Sequence, residues 1–353
     1  MGETLTASDY EPWFSPLFPS HDLGRIVLVA AGISIGLFVV GYAVATIGTL
    51  PYLTLSEAYL GAFGVFWMLV CLGVADTVYV DIWEDVRSAF AVDDETYHAV
   101  VEPHLANIHD TRRILGYTAA LLVPYLVVVS VVYLPGSTLR EPAVDMFLGG
   151  TTEYPPSVAG TLVFVLFGGA NTLLFATICN GFVNHLELVR DVLELPFEDV
   201  YVSASDLEPV ARFTIASATV WFAGVSLVVL WIHAGISGTV GISFITVLVF
   251  TGAVLFLAPQ LILHDALVDA KRTELATIRV EYREMYQQVT DEDVDEDVAQ
   301  QLRLIDRRLE SAKAIRTWVY NISSIGKLAT AAILPWITLV QELVSTADLL
   351  LGS

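Results

Sequence analysis

Lysine is nearly missing from this chain. Three Lys (Lys271, Lys313, Lys327) stand against fourteen Arg in 353 residues, while Asp and Glu together number 39. The formal net charge is −22. No basic patch lies outside the short loops that flank apolar segments, so nucleic acid is excluded as a partner. Cysteine is scarce too. Cys71 and Cys179 both fall in apolar stretches, which excludes a disulfide framework and a zinc site. Residues 1–25 lack a positive stretch ahead of the first apolar run, so they do not read as a cleavable signal peptide. Trp13 and Phe14 suit this segment to the membrane surface.

Catalytic signatures are missing as well. There is no His-Glu-x-x-His, no glycine-rich phosphate loop and no nucleophile elbow. No paired acids inside apolar segments suggest a proton relay. His98, His104 and His109, beside Glu102 and Asp110, invite a metal reading. Their spacing does not put them on one helical face, and Pro103 is expected to interrupt the helix, so they read as solvated loop histidines. No metal, no cofactor and no enzyme activity is expected.

What is present is apolar chain. Hydrophobic residues make up 55%, and the mean hydropathy is +0.65, which indicates an integral membrane protein. A bilayer core about 30 Å thick needs about 20 apolar helical residues. Seven segments qualify: 26–47, 58–80, 114–134, 157–183, 213–234, 242–263 and 328–350. Pro124 is expected to kink the third. If the chain crosses at each, 16 of the 17 Lys and Arg fall on one side and only Arg140 on the other. Cytoplasmic loops retain Lys and Arg, so the N-terminus is inside and the C-terminus outside. The reading is an all-α polytopic protein of the cell membrane with the bilayer as its first partner. An acidic, lysine-poor composition of this kind resembles haloarchaeal proteins, which work in concentrated potassium chloride. There the Debye length falls to roughly 3 Å, so the net charge steers nothing at long range.

The largest cytoplasmic element is 264–327. Leu275, Ile278, Tyr282, Met285 and Val289 recur in heptad steps, and no Pro or Gly interrupts 264–289. The sixth segment is therefore expected to continue out of the membrane, roughly 72 Å from 242 to 289 at 1.5 Å per residue. An acidic turn, 290–297, leads to a second stripe, Val298, Leu302, Ile305, Leu309 and Ala312. The two stripes should pack as an antiparallel hairpin. Four parts follow: an N-terminal segment 1–25, a six-helix region 26–263, a hairpin 264–327, and a final crossing with its outside end, 328–353.

Two polar stripes stand out inside apolar segments. Thr338, Gln341, Glu342 and Ser345 share one face of the seventh. Such a face should meet protein or water rather than lipid, so it is a candidate pore lining with Glu342 attracting cations. Glu342 placed among the outer headgroups is the alternative. Thr177, Asn180, Asn184 and Glu187 form a second stripe in the fourth segment, read as helix-packing glue ahead of a ligand site. Gly168 to Asn171 is expected to be a close helix contact.

Seven helices with the N-terminus inside, a sixth that extends into the cytosol, a helix after it and a polar final crossing resemble the insect odorant and gustatory receptor type of ion channel. The last-helix signature of that family is Thr-Tyr, five apolar residues, then Gln-Phe. Here the corresponding stretch is Pro335-Trp336-Ile-Thr-Leu-Val-Gln341-Glu342, with the Gln kept and the Thr, Tyr and Phe replaced. The resemblance implies a homotetramer held by the hairpin, with Leu275, Ile278, Tyr282, Met285, Leu302, Ile305 and Leu309 as anchor packing. It implies a cation pore lined by Thr338, Gln341, Glu342 and Ser345, opened by a ligand. The alternatives are a non-conducting scaffold or sensor whose hairpin docks a soluble cytoplasmic partner, and a small-solute transporter.

Overall fold

The computed structural model describes residues 13–18, 22–48, 50, 52–54, 56–108, 110–133, 135–141, 157–199, 201, 205–232, 239–288 and 296–319. In the last segment it describes 326, 328–330, 332–333, 335–337, 340–341 and 344. Among these residues the chain is all-helical, with no strand. The long helices are α1 (Leu23–Ile47), α2 (Ser56–Asp85), α3 (Asp94–Ile108), α4 (Thr111–Tyr133), α5 (Val158–Val192), α6 (Glu208–Ile232), α7 (Thr239–Gln288) and α8 (Glu296–Ala314).

Among the described residues five helices are long and apolar enough to cross a membrane: Leu23–Ile47, Ala58–Ala89, Thr111–Val132, Val158–Val192 and Ile245–Gln287. Their surfaces make the same point. Leu28 is 72% exposed, Ile35 63% and Ile47 87%, on a helix with a mean exposed face of aliphatic side chains. Apolar area on that scale needs lipid against it. By length and composition these five are candidate spans among the described residues; α6 and the last segment are not among them.

Local chemistry explains the starts and joins. Asp22 caps α1, its carboxylate accepting from the Gly24 N–H at 2.6 Å. Ser157 caps α5 by accepting from the Gly160 N–H at 3.0 Å. α4 and α5 pack closely because Gly168 leaves room for the Tyr125 ring, whose hydroxyl donates to the Phe164 carbonyl at 2.8 Å. A β-carbon at Gly168 would occupy the ring's place. The next residue but two, Asn171, donates to the Gly61 carbonyl of α2 at 3.0 Å. Ser34 ties α1 to α2 through the Ala62 carbonyl at 2.6 Å.

Two expectations about breakers and ends change. α3 runs from Asp94 through Pro103 to Ile108 without interruption. α4 also contains Pro124 within an unbroken helix, which is compatible with the kink expected there. Water or a neighbouring group can satisfy the single carbonyl a helical Pro leaves unpaired, so one Pro need not end a helix. The N-terminal aromatic segment does not lie flat on a membrane surface. Phe14 and Phe18 are 4% and 6% exposed, wedged among Ile26, Val65, Leu69 and Leu174 of α1, α2 and α5. The Trp13 indole N–H donates to Thr177 Oγ1 at 3.3 Å.

At one end of the bundle the helices gather a second, compact core. Trp83, Tyr97, Val101, Leu105, Leu188, Val192, Leu207, Val210, Leu263 and Leu267 bring together α2, α3, α5, α6 and α7. A short antiparallel bridge, Phe90 to Phe197, closes it, with the two rings stacked at 5.5 Å. This is the end that carries Arg87, Arg112, Arg113 and Arg190.

α7 is one unbroken helix of 50 residues with Pro259 inside it. Its far half packs against α8 through Ile278, Ile305, Ala312 and Ile315, with Leu275, Tyr282, Met285 and Leu309 alongside. Leu302 is half-buried on the same helix. The hairpin is closed by three ties. Arg308 donates to Glu274 at 2.9 Å and to Glu281 at 3.0 Å. Lys271 Nζ donates to the carbonyls of Lys313 and Ile315, at 2.7 and 3.0 Å, where α8 ends and its carbonyls lack partners. His264 stacks on Trp318 at 4.0 Å, and its Nδ1–H donates to the Thr317 carbonyl at 2.9 Å.

Candidate functional site

The fourth-segment stripe is where polar groups enter the bundle. Thr177, Asn180 and Asn184 are buried on α5, and Glu187 is exposed. The Asn180 amide donates to the carbonyls of Asn107 and Ile108, at 3.1 and 2.8 Å. It therefore caps the C-terminal end of α3, whose last carbonyls have no intrahelical donor. Asn184 donates to the Asn180 carbonyl at 2.8 Å and accepts from Arg113 at 3.3 Å. The two Asn side chains thus join α3, α4 and α5.

The opposite side of α5 is different. His185 is 5% exposed. Three aromatic rings surround it: Phe213 at 5.4 Å between centroids, Tyr79 at 5.6 Å and Trp83 at 6.1 Å. The Tyr79 hydroxyl is 3.0 Å from His185 Nδ1. The Tyr79 and Trp83 rings meet edge to face at 6.4 Å. His185 Nε2 and Trp83 Nε1 are buried with no partner. On α7, Gln260 is 2% exposed, and neither its amide nitrogen nor its oxygen has a partner.

These groups share a level. His185 lies one turn before Leu188 of the inner core and two to three turns after Leu174 and Phe175 of the membrane cores. Phe213 sits between Val210 of the inner core and Ala218 of a membrane core. Gln260 sits between Leu263 and Phe256, with Leu267 continuing the same face. Along their helices His185, Phe213 and Gln260 thus fall between the inner core and the membrane cores. Sequence reasoning gave none of them a role.

The histidines weighed for a metal separate. His104 Nε2 is 2.8 Å from Asp191 Oδ2, and His98 Nε2 is 3.6 Å from Glu84 Oε1. His109 lies outside the described residues. Among the described residues no three His, Cys, Asp or Glu form a cluster able to hold a metal. Nearby, Tyr97 is fully buried, and its hydroxyl donates to the Trp83 carbonyl at 2.5 Å. Burial pushes its phenol up, Glu84 adds to the shift, and Arg87, 5.3 Å over the ring, opposes it.

In the last segment, Thr338, Glu342 and Ser345 lie outside the described residues. Leu328, Ala332 and Pro335 are buried, the first two against Phe222 and Val249 of α6 and α7. Ile333, Ile337, Val340 and Val344 are more than half or half exposed, at 58, 50, 54 and 55%, and Gln341 is exposed beside them.

No known protein family matches this chain, and neither a curated protein nor a solved structure is similar to it.

Proposed function

We propose that this multi-pass membrane protein crosses the cell membrane seven times with its N-terminus inside, and that copies of it associate into a cation-conducting oligomer. The observation that carries the reading is the one-sided docking of the last segment. Leu328, Ala332 and Pro335 bury one face, and Gln341 is left exposed in a segment whose other exposed residues are mostly aliphatic. A polar side chain within a crossing helix is stable when it faces another subunit or water. A second copy placed against this face supplies the partner, and Thr338, Glu342 and Ser345 share the polar stripe by sequence. The scaffold alternative asks for a free heptad stripe, and the hairpin's stripes are already packed against each other within one chain.

The test is the subunit count of the purified protein in nanodiscs at high potassium chloride, by mass photometry, followed by cation flux into liposomes. An oligomer whose flux falls in Gln341→Leu and Glu342→Gln supports the proposal. A monomer, or an oligomer that conducts nothing, refutes it.

A further inference from the structure

We infer that the far end of the hairpin is a docking groove for a basic amphipathic helix of a soluble protein, with Leu304 as its apolar contact and Glu284 as its ionic one. The inference is independent of conduction and of the last segment. Exposed Asp269, Arg272, Arg279 and Arg283 keep this half of α7 in water. A groove of about 470 Å³ lies there between α7 and α8. Met285, Leu304 and Ile305 form its apolar part, and Glu281, Glu284, Gln301 and Arg308 its polar part. It runs beside the packed stripe rather than on it. Ile305 is 8% exposed, whereas Leu304, its neighbour in sequence, is 53% exposed. Covering such an aliphatic side chain favours association. From 301 to 308 the groove is roughly 11 Å long at 1.5 Å per residue, about two helical turns.

Shape and charge select the occupant. All copies of the chain cross a membrane in one orientation, so neighbouring hairpins would stand with their turns together. Residues 290–297 put six carboxylates on each turn, and like charges side by side oppose the contact. Two concave faces related by a twofold axis also fail to fill each other. The occupant is therefore a convex element of another protein, and a helix is what fits between two helices. The rim's own cation is already held: Arg308 pairs with Glu274 at 2.9 Å and with Glu281 at 3.0 Å. Glu284 is exposed, and among the described residues no ion pair reaches it. Between 281 and 308 nine acidic residues stand against four Arg, so the groove favours Lys or Arg over an acid. The matching helix carries apolar residues at i and i+3 or i+4, flanked by basic ones.

Selection from a displayed library of helical peptides on the intact protein in nanodiscs, with counter-selection on empty nanodiscs, reads this preference. Enriched peptides are expected to combine an apolar stripe of helical period with net positive charge. No enrichment, or enrichment of acidic or unstriped peptides, overturns the inference. The strongest peptide is then titrated by fluorescence anisotropy. Leu304→Asp is expected to weaken it at least ~10-fold by setting a carboxylate against the apolar stripe. Leu304 lies outside the core that joins α7 to α8, so that core is kept. Glu284→Lys is expected to weaken it ~10-fold, and a peptide with Glu in place of the facing Lys is expected to regain the loss. Unchanged binding in either variant removes the contact it tests and overturns the groove as drawn. Cross-linking of Gln301→Cys between copies that blocks the peptide means a second copy fills the groove, and it overturns the inference as well.

Discussion

Asn180 offers the sharpest test of how the inner core is held. It is 1% exposed, and its amide closes the end of α3 through two carbonyls, those of Asn107 and Ile108. Asn180→Ala removes both bonds and leaves two carbonyls without donors. A net hydrogen bond is worth about 1 kcal/mol, and a buried polar group left unpaired costs about 1–3 kcal/mol. At about 1–1.5 kcal/mol for each of the two carbonyls, the loss is roughly 2–3 kcal/mol, concentrated on α3 rather than spread over the chain. Every 1.4 kcal/mol is tenfold in an equilibrium, so amide exchange across 94–108 should accelerate roughly 30- to 100-fold. Hydrogen–deuterium exchange of the protein in nanodiscs, read by peptide mass, measures it. Peptides from α8, which packs on the far half of α7, should be unaffected. Asn180→Asp should be worse still, because it sets carboxylate oxygens against carbonyl oxygens. Exchange in 94–108 that matches the parent chain in both variants would refute the capping role.

Two further outcomes follow from other parts of the fold. Gly168→Leu forces side-chain atoms into the place of the Tyr125 ring and should separate α4 from α5. The expected result is loss of monodisperse protein on detergent extraction, whereas Gly169→Leu, with open space at its β-carbon position, should extract normally. Tyr97 and Tyr201 both ionise less readily in the folded chain than in the unfolded one, each chiefly through burial, with a hydrogen bond to Glu274 also acting on Tyr201. Their contribution is therefore complete below the ordinary tyrosine pKa of about 10 and is lost as pH rises through the folded values. The thermal midpoint should hold up to about pH 10 and then fall, and Tyr97→Phe should flatten that fall.

The hairpin was legible from residue types alone. A heptad period is a local signal, and Leu275, Ile278, Tyr282 and Met285 on one strand of it answer Ile305 and Leu309 on the other. The apolar segments were legible for the same reason, since crossing a bilayer demands a run of fixed length. The inner core was not. Its members come from five helices, and the bond between Tyr79 and His185 spans 106 positions. No period in a single sequence encodes such a meeting. The N-terminal rings misled because Trp and Phe near a segment's end suit a membrane surface as well as they suit a groove. The groove exists because Gly73 brings α2 close to Ile26 and Phe18, a fact about packing that composition does not carry. Pro103 misled in the opposite direction: a rule about helix interiors was applied where the surrounding core holds the helix together.

α7 is a lever with one weak point. Proline at 259 has no N–H to give to the carbonyl of Leu255, so one rung of a 50-residue ladder is missing. From that point to Gln288 is roughly 43 Å at 1.5 Å per residue. A bend of about 10° there swings the tip of the hairpin by roughly 7 Å. The hairpin's three ties make α8 travel with any such bend, so the two helices swing as one body.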